Sequence, residues 1–190
     1  MGNGTSARGA ATRARIRETA MALISERGEI TTVAELAARA GVFPNQITHH
    51  FGSKDRLFAE AAFALLLRDT NRLRDSVRRM RTPDSFRTAL ARTALSMPSL
   101  PFVVEAITLA RNDAELRPQV RRATGILFRK SETYLERVLA ENKWTSEQGI
   151  KRDVATFWST VFGAVLISGS GFPGGPSDID LAGSLSIVTE

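Results

Sequence analysis

The side chains that could do chemistry lie close together in one short stretch of this chain. Asn45 and Gln46 carry amides that both donate and accept hydrogen bonds, and His49 and His50, the only two histidines, follow directly. There is no cysteine and no metal-ligand spacing, so neither a nucleophile paired with a base nor a cofactor loop is indicated, and we expect no metal and no cofactor. These residue types favour recognition over catalysis, with an enzyme as the main alternative class.

Two short crossed helices must position these side chains. From Thr32 to Phe51 the spacing is that of a helix-turn-helix. Ala37 is small enough for close approach, Gly41 can take the positive φ of a tight turn, and Ile47 fills the gap between the helices. The apolar underside is completed by Leu36, Ala40 and Val42. The alternative is any helical hairpin with a glycine turn, but the number of agreeing positions favours a DNA reader.

Both helices have start signals in the sequence. Thr32 followed by Glu35 forms the pattern of a capping box. Pro44 stands in the first turn of the second helix, where its missing N–H costs nothing. The two helix starts are therefore predicted independently of the turn between them.

The flanking residues extend the pattern. Phe51-Gly52-Ser53-Lys54-Asp55-Arg56-Leu57 follows at once, and a helix with a stripe formed by Ile16, Ala20, Leu23 and Ile24 precedes. This order closely resembles the TetR (tetracycline-repressor) family, in which a glycine turn leads to a short recognition helix, an aromatic residue and a Ser-Lys-acid-x-Leu start of the fourth helix. The resemblance covers the first third of the chain, and the remainder matches in being helical and of the expected length.

The resemblance implies which side chains contact DNA. Pro44, Asn45, Gln46 and His49 would face the major groove, and Thr32, Thr48, His50 and Lys54 would lie near phosphates. We expect Asn45 and Gln46 to be the main base readers, because an amide offers a donor and an acceptor to adenine or single bonds to other base edges. Taken singly, the histidines and the lysine also fit solvated surface residues. Their joint placement opposite Ile47 and Phe51 favours the DNA role.

Two positions depart from the family pattern. Phe43 stands where Ser or Thr is frequent and cannot cap the recognition helix, so its ring is expected to pack on neighbouring apolar groups or on a thymine methyl. Thr48 stands where an aromatic residue, commonly Tyr, is usual. The operator is therefore expected to be atypical.

Composition indicates a globular chain with an uneven charge distribution. Of 190 residues, 43% are hydrophobic and 24% charged, and the net charge of +6 permits an anionic partner. No acid precedes Glu18, whereas four arginines do, which indicates either an arm along phosphates or a minor groove, or a frayed terminus. These arginines are Arg8, Arg13, Arg15 and Arg17. No Lys or Arg follows Arg152, so the basic character is confined to the part of the chain before it.

Nothing in the sequence argues for export or for a membrane. Without cysteine there is no disulfide framework, so the cytoplasm is the default compartment. The first residues lack the apolar segment of a secretion signal. The longest apolar run, from Val161 to Ile167, is far shorter than the roughly 20 residues that a membrane helix requires.

We expect an all-α fold: a helix-turn-helix DNA-binding domain in residues 1–52, joined to a helical ligand-binding and dimerisation domain in residues 53–190. Helix four should begin at Ser53 as N-cap and run to about Arg79, and further helices are predicted near 83–97, 101–112, 117–141 and 146–168. The segment from Gly169 to Pro176 is a loop without the Gly-Lys-Ser/Thr of a phosphate-binding loop, and Asp178 to Val188 is expected to form a short closing helix.

The helix near the C-terminal end is apolar on more than one face, which predicts that it is covered from two sides. Its apolar residues are Val154, Phe157, Trp158, Val161, Phe162, Val165 and Leu166. One side would pack in its own domain, and the other, with Leu127, Tyr134 and Val138, would meet a second copy in a four-helix arrangement. This predicts a homodimer on a palindromic operator in double-stranded DNA. A central helix buried in a monomer is the alternative.

The resemblance also implies a small-molecule pocket in the second domain. Candidate lining residues are Leu67, Phe86, Leu90, Phe102, Val103, Ile107, Arg111, Phe128 and Tyr134, although most of these also fit a packed core. Such a lining suits an uncharged or largely apolar ligand. The chain is therefore expected to be a repressor that a ligand releases from its operator. The alternative is a ligand-independent dimeric DNA-binding protein whose second domain serves only dimerisation or protein interaction.

Overall fold

Helices make up nearly all the regular structure. The structure, a computed structural model, describes residues 3–29, 32–171 and 178–189. In these residues the helices are α1 (Asn3–Arg27), α2 (Val33–Ala40), α3 (Pro44–Phe51), α4 (Lys54–Val77), α5 (Pro83–Leu95), α6 (Leu100–Asn112), α7 (Arg117–Asn142) and α8 (Ile150–Gly169). We call α1 to α3 the head and the remainder the body. The all-α fold class is confirmed.

Local capping chemistry sets several helix starts where the sequence predicts them. Ser53 caps α4, because its hydroxyl accepts a hydrogen bond from the Arg56 N–H at 3.1 Å. Thr82 does the same for α5 through the Ser85 N–H, with Pro83 at the first helical position. The helix ends agree less closely, since α4 stops at Val77 and α5 at Leu95.

The predicted helix near 146–168 starts four residues late. Trp144–Ser146 forms a strand, β1, that pairs antiparallel with β2 (Ile187–Thr189), so that Trp144 lies opposite Thr189 and Ser146 opposite Ile187. The expectation of a closing helix from Asp178 to Val188 is therefore wrong: the segment contains a short 3-10 turn at Ala182–Ser184 and then β2. Of the predicted loop, residues 172–176 lie outside the described residues.

Most contacts between head and body run through α4, which packs against α1, α3, α5, α6 and α7. Its buried side chains include Leu57, Phe58, Ala61, Leu65 and Leu66. On the far side of the body, α8 buries one face made by Val154, Phe157, Trp158, Val161 and Ala164, and the Trp158 indole N–H donates to Ser131 Oγ at 2.9 Å. Among the described residues, no single helix is long and hydrophobic enough to cross a bilayer. The helices α5 and α6 meet the two criteria only when taken together, and they are bent by 70° at the break between them.

A buried carboxylate ties β2 to the start of α8. Asp153, only 1% exposed, accepts hydrogen bonds from Ser146 Oγ at 2.7 Å, from the Ser186 N–H at 3.0 Å and from Ser186 Oγ at 2.8 Å. A buried charge is tolerated only with such partners. Asp153 therefore fixes the strand pair to the body.

Replacing this carboxylate should destabilise the body. We expect Asp153→Ala to lower the free energy of unfolding by about 3 kcal/mol, because three partly buried donors lose their acceptor. Urea denaturation measures the loss. The matched control is Glu147→Ala, since this nearby acid is exposed and should change stability by less than about 0.5 kcal/mol. Equal effects of the two changes would contradict the role given to Asp153.

Candidate nucleic-acid interface

A left-handed glycine makes the turn between α2 and α3. Gly41 has φ 61° and ψ 44°, and its N–H together with that of Val42 returns to the last carbonyls of α2, the Val42 N–H reaching Ala37 O at 3.0 Å. Thr32 caps the start of α2 by accepting from the Glu35 N–H at 3.0 Å. The turn and the Thr32 cap that the sequence predicts are both present, but the capping box is only half formed, because the Glu35 carboxylate binds Arg27 instead of the Thr32 N–H.

The start of α3 is capped from within the helix. Phe43 stands at the cap position and has no side-chain acceptor, but the amide oxygen of Gln46 accepts the Phe43 N–H at 3.1 Å. Pro44 follows at the first helical position. This use of Gln46 was not predicted from the sequence, although the missing Ser or Thr at position 43 was the signal for it. The Gln46 amide nitrogen has no hydrogen-bond partner in the described chain.

Two buried side chains fix the orientation of α3. Ile47 and Phe51 face inward, and Arg13 of α1 lies over the Phe51 ring with its guanidinium carbon 4.4 Å from the centroid. The same guanidinium binds Glu60 of α4 through its two terminal nitrogens. Its Nη1 donates to Glu60 Oε1 at 2.7 Å, and its Nη2 donates to Glu60 Oε2. One arginine thus joins the recognition helix, α1 and α4.

The predicted DNA-contacting side chains lie on the opposite side of α3 and at its two neighbours. Pro44, Asn45, Thr48 and His49 are exposed on α3, as are Thr32 before α2 and Lys54 at the start of α4, whereas Gln46 and His50 are half-buried. The rings of His49 and His50 meet edge to face, 5.1 Å apart. Burial, followed by the charges of His49 and Arg13, lowers the pKa of His50 from its ordinary value.

Phe43 projects beside this surface. It is 75% exposed, the highest value among the large hydrophobic residues described. The expectation that it packs on neighbouring apolar groups is therefore not met, which leaves the contact with a thymine methyl as the open prediction.

The basic N-terminal segment is neither a free arm nor frayed where it is described. It is helical from Asn3, and its arginines divide into two groups. Arg13 and Arg17 point toward Glu60, the latter only at 3.9 Å, while Arg8 and Arg15 are exposed. The head is braced further by Arg27 with Glu35 and by Arg39 with Glu26 at 2.9 Å. Half of the predicted basic segment therefore serves the packing of α1.

The predicted ligand-lining residues do not share one cavity. Leu67 lines a cleft of about 700 Å³ between α1, α4 and α7, and Phe86 and Tyr134 line another of about 480 Å³ between α4 and α7. Leu90 borders a space of only about 40 Å³. Val103 is fully buried, Arg111 is exposed, and Phe102, Ile107 and Phe128 pack against the core as half-buried residues. Among the described residues, no group of three or more His, Asp or Glu is placed to hold a metal ion.

Two family models match the chain. Residues 16–61 match the model described as bacterial regulatory proteins of the tetR family, and residues 83–186 match the model of a bacterial transcriptional repressor C-terminal domain. No curated protein matches the chain.

Solved structures with the same fold cover nearly the whole chain. A protein named as a transcriptional regulator from Rhodococcus sp. RHA1 is 28% identical with a TM-score of 0.74, covering 90% of this chain and 91% of that one. A protein named as a TetR-family regulator from Rhodococcus sp. is 16% identical with a TM-score of 0.65, covering 91% and 95%. A regulator from Saccharomonospora viridis, solved in complex with choline, is 16% identical with a TM-score of 0.59, covering 92% and 93%.

The two glycines that flank α3 should differ in their tolerance of a side chain. Gly52 has φ 82° and ψ −51°, outside the region open to other residues, and a Cβ there would lie 3.0 Å from an Arg56 nitrogen, whereas Gly41 has an allowed left-handed conformation and open space. We expect Gly52→Ala to cost about 2 to 3 kcal/mol of unfolding free energy and Gly41→Ala about 1 kcal/mol in urea denaturation.

Gly9→Ala is the matched control for these two changes. Gly9 lies inside α1, and a Cβ added there would meet nothing within 4 Å, so the same substitution should leave stability unchanged or raise it slightly. If Gly52→Ala were as harmless as Gly9→Ala, the geometry given for the end of α3 would be wrong.

Proposed function

Because this chain belongs to the TetR family of bacterial regulatory proteins, we propose that it is a dimeric transcriptional repressor that a small molecule releases from a palindromic operator. The observation that carries the proposal is the exposed side of α3, where polar side chains face away from Ile47 and Phe51. The match of the body to the C-terminal model of a transcriptional repressor supports the sign of regulation. Such a protein would act in the cytoplasm, where its DNA is.

We propose that α3 enters the major groove with Asn45 and Gln46 as base readers, beside Pro44 and His49. Since the Gln46 amide oxygen already accepts the Phe43 N–H, its nitrogen is the atom turned to DNA, and a base acceptor such as guanine O6 or thymine O4 suits it. Asn45 is exposed and retains both groups for adenine. The Phe43 ring would cover a thymine methyl next to these contacts.

Around α3, phosphates would be held by Thr32, Thr48, His50 and Lys54. Lys54 stands in the first turn of α4, where the free N–H groups of the helix also favour an anion. These contacts set the register on the duplex without reading sequence. The lowered pKa of His50 favours its neutral form in the free protein, and an adjacent phosphate would favour its charged form.

We propose that the outer side of α8 forms the dimer contact. Leu166 and Ile167 are 59% and 48% exposed, and Gly163 one turn earlier allows close approach of a second helix. Tyr134 and Val138 of α7 are half-buried and stay in the proposed contact, whereas Leu127 is 1% exposed inside its own body and leaves it. A two-fold pair would present two copies of α3 roughly 34–36 Å apart, in successive major grooves.

The ligand that releases the repressor would be small and apolar over most of its surface. The clefts beside α4 and α7 give room for it, and one neighbour of the same fold holds choline. The second candidate function keeps DNA binding and dimerisation but has no ligand. The apolar patch of Leu166 and Ile167 supports either candidate, so ligand-dependent release of DNA separates them.

Changing Gln46 and Lys54 should affect DNA binding in different ways. We expect Gln46→Ala to reduce the binding free energy that discriminates one base pair of each half-site by about 1 to 3 kcal/mol. The order of preference among operator variants should change as a result. Lys54→Ala should weaken binding to all of them alike and reduce the slope of log K against log salt by about 1.8 per dimer, since two phosphate contacts are lost. Selection from random DNA followed by titration at several salt concentrations measures both effects.

Lys151→Ala serves as the control because this lysine is exposed at the start of α8, in the body. It should leave both the preference and the salt slope unchanged. A uniform loss on every sequence from Gln46→Ala would argue against base reading by that residue.

Placing charges on the outer side of α8 should separate the dimer. We expect the double change Leu166→Glu and Ile167→Glu to weaken dimerisation roughly a hundredfold or more, because unpaired carboxylates would be buried in the contact. Sedimentation velocity across a dilution series measures this. Thr88→Glu adds a charge at an exposed position of α5 and should have no effect. If the double variant stays dimeric at the same low concentrations as the parent protein, this face is not the dimer contact.

A further inference from the structure

The cleft between the head and the body has one apolar wall and one cationic wall. Its apolar side is formed by α4 and α7, with Phe63, Ala64, Leu67, Val120, Ala123 and Ile126. Four arginines reach it, two from α1, one from α4 and one from α7, against two glutamates. At about 700 Å³ it lies within the size range of small-molecule sites.

The cationic wall has unused hydrogen-bonding capacity. Arg13 binds Glu60 through both terminal nitrogens, and Arg56 binds Glu115 through Nη2. Arg17 has only longer contacts: its nearest carboxylate oxygens lie at 3.5 Å on Glu18 and 3.9 Å on Glu60, and its Nε is buried without a hydrogen-bond partner among the described residues. Because that Nε is not exposed to the cleft, an anion placed there would bind the terminal guanidinium nitrogens of Arg17, which make only these two long contacts with carboxylates.

We propose that this cleft is the effector site and that its ligand is a small organic anion with an apolar body, its carboxylate or sulfonate bound by Arg17 and Arg122. This inference rests on the proposed ligand-responsive repressor and names the site and the ligand class. Arg122 is exposed at the mouth of the cleft, and its side chain has no partner in the described structure. The apolar body would lie against Phe63, Leu67 and Ile126.

One end of the cleft is closed by contacts within the body, between the first turn of α4 and the start of α7. The Arg56 guanidinium donates to both the backbone oxygen and the carboxylate of Glu115 at 2.9 Å, and the Gln119 side chain donates to Arg56 O at 2.7 Å. Arg56 lies three residues after the cap of α4, in the first helical turn that follows α3. An anion held by Arg17 of α1 and Arg122 of α7 would add a contact between these two helices and thereby change the position of α1 relative to α7. The ligand thus favours another head orientation by its difference in affinity for the two states.

A pair of fluorescent probes that differ only in charge tests the ligand class. 1-Anilinonaphthalene-8-sulfonate carries the anion, and N-phenyl-1-naphthylamine has the same rings without it. We expect the full-length protein to bind the sulfonate at least roughly tenfold more tightly than the neutral probe in fluorescence titrations, since the charged hydrogen bond is present only for the first. Equal affinities, or no saturable binding of the sulfonate, would overturn the proposal.

Arginine variants test the site itself. Arg17→Gln and Arg122→Gln should each raise the dissociation constant of the sulfonate by roughly fivefold to tenfold while changing that of the neutral probe by less than about twofold. Arg17→Lys should fall between Arg17→Gln and the parent protein, because it keeps the charge and loses the planar pair of terminal donors. The matched control is Arg121→Gln, which removes the same charge from the neighbouring exposed position outside the cleft. Identical behaviour of Arg17→Gln, Arg122→Gln and Arg121→Gln would place the probe elsewhere and overturn the proposal.

Operator titrations of the same proteins without probe separate this inference from the proposed function. Retained DNA binding together with arginine-independent probe binding would refute the cleft and leave the repressor standing. Arginine-dependent probe binding in a protein that binds no DNA sequence would refute the repressor and leave the anion site standing. Addition of the sulfonate to the protein–operator complex should release the DNA in the parent protein and require more probe in Arg17→Gln.

Discussion

The burial of Ile47 and Phe51 beneath α3 is the constraint on which the rest depends. A helix of eight residues has little stability alone, so its direction is set by the side chains it buries. The Arg13 guanidinium over the Phe51 ring, paired at the same time with Glu60, makes that direction common to three helices. Apolar packing and one shared cation therefore turn the polar side of α3 outward. Because the same cation contacts α3 and α4, a displacement of α1 against α4 would also move α3.

The sequence predicts the local features of the head well, because each arises from neighbouring residues. Gly41, Thr32, Pro44 and Ser53 act through the backbone within four positions, and all four are found in the predicted roles. The capping role of Gln46 is equally local and was missed only because its amide was assigned to DNA. The base and phosphate contacts themselves stay predictions.

The structural features that could not be predicted from the sequence depend on contacts between residues that are far apart in the chain. Arg13 and Glu60 are separated by 47 positions and Ser186 and Asp153 by 33, so a helix pattern contains no trace of either pair. The same limit explains β2, since three residues acquire a strand conformation only by pairing with Trp144–Ser146. It also explains the ligand-lining set: Leu67 borders the large cleft while Val103 fills the core, and both look alike as apolar residues of amphipathic helices.

The attachment of β2 has a consequence for how the chain acquires its structure during synthesis. The head is stabilised mainly by contacts between helices that are close in sequence, and its main partner in the body is α4. In the body, by contrast, α5 packs against β2, and the Arg87 side chain of α5 donates a hydrogen bond to Leu185 O, 98 positions later in the chain. Contacts of such separation form late. The head can therefore fold on the ribosome before β2 has been synthesised. Until then α5 lacks this partner, so the nascent body is the part that would need protection by a chaperone.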